Sequence, residues 1–140
     1  MAPVSAVVAG SASDGHRPSS RFACSLESGV DTTWIDVAGE VDIASFRQLE
    51  RALGSAPARA VTVLDLRALT FIDSAGVHVI VNAADRARKE GRELMVVRGP
   101  PQVDRVFTLT GACNSLQITD HAPRKPAAGR AGLEQIQLCR

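Results

Sequence analysis

Ser74 has the clearest chemical use of any residue in this chain. It follows Asp73 and precedes Ala75, Gly76 and an apolar stripe at helical spacing, so a helix is predicted to begin here. A hydroxyl in that place lies beside unpaired backbone N–H groups and the positive end of the helix dipole, where a phosphate on its oxygen is stabilised. The plainer use of Asp-Ser before such a stripe is an N-cap, and on composition and spacing alone that is the commoner case. His78 stands four residues on, hence on the same side of the helix. A serine–histidine hydrolase pair is the sharp alternative. The sequence has no Gly-x-Ser-x-Gly elbow and no evident third group to orient the imidazole, which favours an ordinary solvated histidine.

Other polar residues make weaker cases. Glu40 and Asp42 are two carboxylates without a further ligand, a poor metal site, and Asp42 is better read as a helix cap. Arg98 follows a strand and faces either a phosphate on Ser74 or solvent. Cys24, Cys113 and Cys139 are odd in number, far apart and without metal or redox spacing. Cys24 reads as a small core side chain, and Cys113 follows a glycine stop at Gly111. No metal and no cofactor is expected.

Elements must bring these residues together. Phe22, Cys24 and Leu26 alternate with polar or small residues, the period of a strand with one wet face. Ser28-Gly29-Val30-Asp31 has turn chemistry, and Thr33-Trp34-Ile35-Asp36-Val37 is a second strand ended by Gly39. Asp42 then caps a helix with Ile43, Phe46, Leu49 and Leu53 inward, and Gly54 stops it. The segment Val61 to Leu66 is mostly apolar on both faces, as an interior parallel strand is. The helix after Asp73-Ser74 places Val77, Ile80, Val81 and Ala84 on one stripe and stops at Gly91. Leu94 to Val97 is a buried strand. Pro100 or Pro101 opens a third helix with Val103, Val106 and Phe107 inward, and Leu116-Gln117-Ile118 is a last short strand. Strand–helix alternation predicts an α/β fold with a mostly parallel sheet. The loops leaving such strands share one edge, the usual place for a site. Here they are Gly39 to Asp42, Thr70 to Gly76 and Arg98 to Pro100.

The 140 residues fit one domain, and 45% of them are hydrophobic, enough for a core. The net charge of +1 argues against the basic face that unspecific nucleic-acid binding needs. No apolar run approaches the ~20 residues that span a bilayer. No Lys or Arg precedes Arg17, so the start lacks the charged region of a secretory signal. The expectation is a cytoplasmic chain without membrane or direct nucleic-acid contacts. Residues 1–20 read as a disordered arm and 21–120 as the domain. Residues 121–140 read as a basic tail rich in Pro, Ala and Gly, with a weak helical pattern around Leu133 to Leu138.

The segment from Asp65 to Val77 resembles the signature of the STAS domain of anti-sigma factor antagonists. That signature has an Asp-Leu strand end, then a Phe-x-Asp-Ser-x-Gly turn into a helix. Gly39-Glu40-Val41-Asp42 is similar to the family's Gly-Glu-hydrophobic-Asp, and Arg105 to Gly111 resembles its third helix. The three segments occur in the family's order, and the resemblance covers about residues 21–119. It implies a small mixed, mostly parallel sheet of about five strands, with helices packed largely on one side.

The resemblance also implies a non-enzymatic switch in transcription regulation, of the kind used in bacterial stress responses. The unphosphorylated chain would bind an anti-sigma factor with serine kinase activity and free a sigma factor. Phosphorylation at Ser74 would release the chain, and a phosphatase would reset it. Partner contacts would come from Gly39, Glu40, Asp42, Asp73, Ser74, Ala75, Gly76 and Arg98. Asp73 would shape the turn, and Gly76 would permit close approach of the partner. The rival role is a STAS docking subunit of a transporter or signalling assembly without a phospho-switch. The family's chain commonly ends in a helix packed on the domain. Here a Pro-rich basic stretch intervenes, which implies that any such helix is displaced.

Overall fold

The computed structural model describes residues 22–123 and the backbone of residues 134–136. In chain order the elements are β1 (Phe22–Ser28), β2 (Thr32–Val41), α1 (Phe46–Ser55), β3 (Val61–Ile72), α2 (Ser74–Lys89), β4 (Glu93–Val97), α3 (Pro101–Leu109), β5 (Gln117–Thr119) and β6 (Glu134–Ile136). The strands form one sheet in the order β5-β4-β3-β2-β1-β6. The β2–β3, β3–β4 and β4–β5 pairs are parallel, and β1 runs antiparallel to both β2 and β6. The sheet is therefore mixed and mostly parallel, with β6 added to the five strands expected. Where the sequence suggests a weak helix around Leu133 to Leu138, residues 134–136 pair with the free edge of β1, Leu26 opposite Ile136. An unpaired strand edge offers a row of backbone partners that an isolated short helix lacks. The expected disordered arm, 1–20, and the rest of the tail lie outside the described residues.

Alternation puts the core on one side of the sheet. Phe22, Cys24 and Leu26 of β1, Ile35 and Val37 of β2, Leu64 and Leu66 of β3, and Leu94 and Val96 of β4 point to the same layer. Leu49 and Ala52 of α1, Val77, Ile80 and Ala84 of α2, and Val103 and Phe107 of α3 fill it from above. All three helices thus share one face. On the opposite face lies a smaller cluster of Trp34, Val63 and Val97, with Val61 and Ala122 against it. Asp36, Asp65, Arg67 and Pro123 help line a shallow cleft of about 630 Å³ there.

The strands that carry the site are longer than the apolar pattern suggests. Gly39 does not end β2. It takes φ +93° at an irregularity in the pairing, after which Glu40 faces Phe71 and Val41 faces Ile72. A side chain is strained at that φ, so glycine lets the strand bulge and continue. The first helix starts later than expected, at Phe46, and Gly54 lies inside it rather than at its end. Ile43 is 76% exposed instead of facing the core, because residues 42–45 form a turn before the helix begins.

Candidate functional site

Two chain segments, the turn after β2 and the β3–α2 junction, meet where β2 and β3 end. The N–H of Asp73 donates to the carbonyl of Val41 at 3.0 Å, which fastens the start of α2 to the end of β2. The turn after β2 is tied internally. Asp42 Oδ1 accepts from the N–H of Ala44 at 2.9 Å and of Ser45 at 3.2 Å. Ser45 is buried, and its Oγ donates to the carbonyl of Glu40 at 2.9 Å while accepting from the N–H of Asp42 at 3.0 Å. Asp42 is a cap, as the sequence suggests, but of this turn. Glu40 and Asp42 remain half-buried at its rim.

Ser74 is exposed and is the first residue of α2; Asp73 is the N-cap. The Asp73 side chain accepts from the N–H of Ala75 at 3.0 Å and of Gly76 at 3.2 Å. Those two amides are therefore not free beside Ser74, as the sequence reading supposes. An aspartate one residue ahead takes them first, because the residue before the first turn is the one whose side chain reaches these donors. Gly76 is likewise not an opening for a partner. It is buried, and a Cβ there would lie 2.6 Å from Val41 Cγ1 and 2.8 Å from Ile72 Cγ1. Its missing side chain lets α2 sit down on the ends of β2 and β3. His78 is exposed on α2.

Arg98 is engaged elsewhere. Its Nε donates to Asp120 at 2.6 Å and its Nη1 to Asp104 at 2.9 Å, so two carboxylates hold the charge that the sequence reading offers to a phosphate. The Asp120 hydrogen bond, more than the charge of Asp104, pushes the guanidinium above its ordinary range, and Asp120 is in turn held below the usual carboxylate range.

The structure adds side chains that periodicity concealed. Phe71 is 45% exposed although it stands in an apolar run. It lines a cleft of about 500 Å³ with Pro101, Gln102, Arg105 and Val106 of α3. Ile43 and Leu109 are exposed apolar residues on the neighbouring turn and helix. The signal for Phe71 was faint: the pairing irregularities in β2–β3 break the alternation that would otherwise tell in from out.

Comparison with known proteins agrees with this architecture. Residues 25–123 match the family model of the STAS domain. An anti-sigma factor antagonist from Mycobacterium paratuberculosis has a similar structure, with a TM-score of 0.67 and 25% identity over 75% of this chain and 90% of that one. The unphosphorylated form of the anti-sigma factor antagonist SpoIIAA superposes with a TM-score of 0.57 at 22% identity, over 69% of this chain and 88% of that one. The phosphorylated form of SpoIIAA, a Bacillus cell fate determinant, gives 0.54 at 19% identity, over 69% and 91%. The last two share the fold.

Proposed function

The chain belongs to the STAS domain family, and from that premise we propose that it is an anti-sigma factor antagonist switched by phosphorylation of Ser74. The observation that carries the reading is the position of Ser74. It is exposed, at the first position of α2, on an edge where the β2 turn and the β3–α2 junction are joined by the Asp73–Val41 hydrogen bond. The similarity to the mycobacterial antagonist supports the partner class. The partner is an anti-sigma factor with serine kinase activity, and a phosphatase reverses the modification. The kinase brings the nucleotide and metal; this chain contributes a hydroxyl and a surface, needs no cofactor and catalyses nothing. It works in the cytoplasm, without direct contact to nucleic acid or membrane.

The mechanism is one of local charge. Phosphate adds about −1.5 to −2 charges at neutral pH. The edge already carries Glu40, Asp42 and Asp73, and it offers apolar contact through Ile43 and Phe71. A partner complementary to that surface meets a strongly hydrated, like-charged group once Ser74 is modified, and dissociates. Refolding of this chain is not required.

The test is incubation with the anti-sigma kinase and ATP, read by intact mass and then by partner affinity. Ser74→Ala should resist modification and keep binding. Ser74→Glu should bind weakly while its circular dichroism matches the parent. Equal affinities of the unmodified and phosphorylated chains would refute the switch, and an unmodified mass would favour the docking-subunit role instead.

A further inference from the structure

A negative charge already occupies the start of α2. Asp73 is extended, at φ −108° and ψ −177°, with its carboxylate on the amides of Ala75 and Gly76. Its own N–H is bonded to Val41, and its carbonyl accepts from the N–H of Val77 at 3.1 Å. Backbone and side chain are thus both committed. A phosphate on the neighbouring Ser74 can use the amides of Ala75 and Gly76 only by displacing a carboxylate whose backbone is held at both ends. The charged or titratable side chains nearest this edge in the sequence of its elements include Glu40 near the end of β2, Asp42 just after it, His78 one turn along α2, and Arg105 of α3. Arg98 is bound to Asp104 and Asp120.

Resting on the reading that Ser74 carries the phosphate, we infer that Asp73 is a positioning residue that denies this phosphate the amides of its own helix and keeps it turned toward solvent. Helix starts ordinarily collect phosphate through their free N–H groups and dipole. In this chain the cap has taken that place. The phosphate then stands beside a like charge, which disfavours its dianion. Kept off the amides of Ala75 and Gly76, it stays open to a partner or a phosphatase.

The test uses the full chain with phosphoserine incorporated at position 74 during translation. A kinase that ignores Ser74 would defeat the switch and leave this experiment unaffected. Phosphorus NMR against pH reads the second phosphate pKa, ordinarily about 6. It is compared between the parent, Asp73→Asn and Asp73→Ala. Asparagine keeps a capping oxygen and removes the charge. The pKa should fall by roughly half a unit or more in Asp73→Asn, and further in Asp73→Ala, where the amides come free. In the parent, the amide resonances of Ala75 and Gly76 should barely move on phosphorylation. Equal pKa values in the parent and Asp73→Asn would overturn the inference, as would a large downfield shift of those two amides in the parent. If Asp73→Ala does not fold, the asparagine comparison decides alone.

Discussion

A methyl group placed on Gly76 would lie 2.6 Å from Val41 Cγ1, closer than side-chain carbons approach one another. Gly76→Ala would gain about 1 kcal/mol of helix propensity. It would also overpack the joint between α2 and the ends of β2 and β3, at a cost of about 1–3 kcal/mol. We expect net destabilisation, read as a lower urea midpoint at unchanged slope, and stabilisation would show that the joint has room to give. The quartet from Asp73 to Gly76 also shows how far single residues could be read. That a helix starts here, and that an Asp-Ser pair can cap it, follows from residue types. Which of the two caps it is a matter of one residue's backbone angle, and that decides whether the serine meets free amides or a carboxylate. Gly76 reads as permissive toward a partner until the packing of Val41 and Ile72 against it is seen.

Among the elements, the turn between β2 and α1 joins fold to site most directly. Asp42→Ala removes two hydrogen bonds to the N–H groups of Ala44 and Ser45 and the support of buried Ser45. It should cost about 1 kcal/mol, as lost caps do. It should also weaken partner binding, measured on folded variant by calorimetry, because the same turn presents Glu40 and Ile43; unchanged affinity would remove the turn from the docking edge. At the other end of the edge, Arg98 links β4 to α3 and to the segment after β5. The folded pKa of Asp120 lies below its unfolded value, so its contribution is present above the ordinary carboxyl pKa of 3.8 and is lost as pH falls through the folded one. Asp120→Asn should therefore lower stability slightly at neutral pH, leave it unchanged below the folded pKa, and so flatten the acid limb. The effect is small and shrinks with salt, as for any exposed pair. Every main strand and helix was legible, because period-two and period-3.6 patterns survive in Phe22–Leu26 and Val77–Ala84. The bulge at Gly39 was not. A glycine after a strand reads as a stop, and only the partner strand shows that pairing resumes at Glu40 and Phe71. The same irregularity hid Phe71, and the late start of α1 hid Ile43.

For the molecule as a whole, among the described residues the packed layer of three helices and five strands lies within residues 22–123. A chain cut to residues 20–123 loses the three β1–β6 pairings and should unfold cooperatively, with less than roughly 2 kcal/mol lost. A larger loss would mean that the tail is part of the fold. One-sided helix cover also separates two surfaces: Ser74 on the edge where β2 and β3 end, and the Trp34 cluster on the face that carries no helix among the described residues. The sequence holds one tryptophan and no tyrosine, and Trp34 is 7% exposed beside Val63, with Ala122 packed on the same cluster. Its emission is therefore a reporter of that face alone. Trp34 and Val41 are seven residues apart on β2, roughly 23 Å at strand spacing, too far for docking at Ser74 to change the indole's surroundings. Docking at Ser74 should leave the emission of this indole unchanged, while anything that lifts Ala122 from the sheet should redden it.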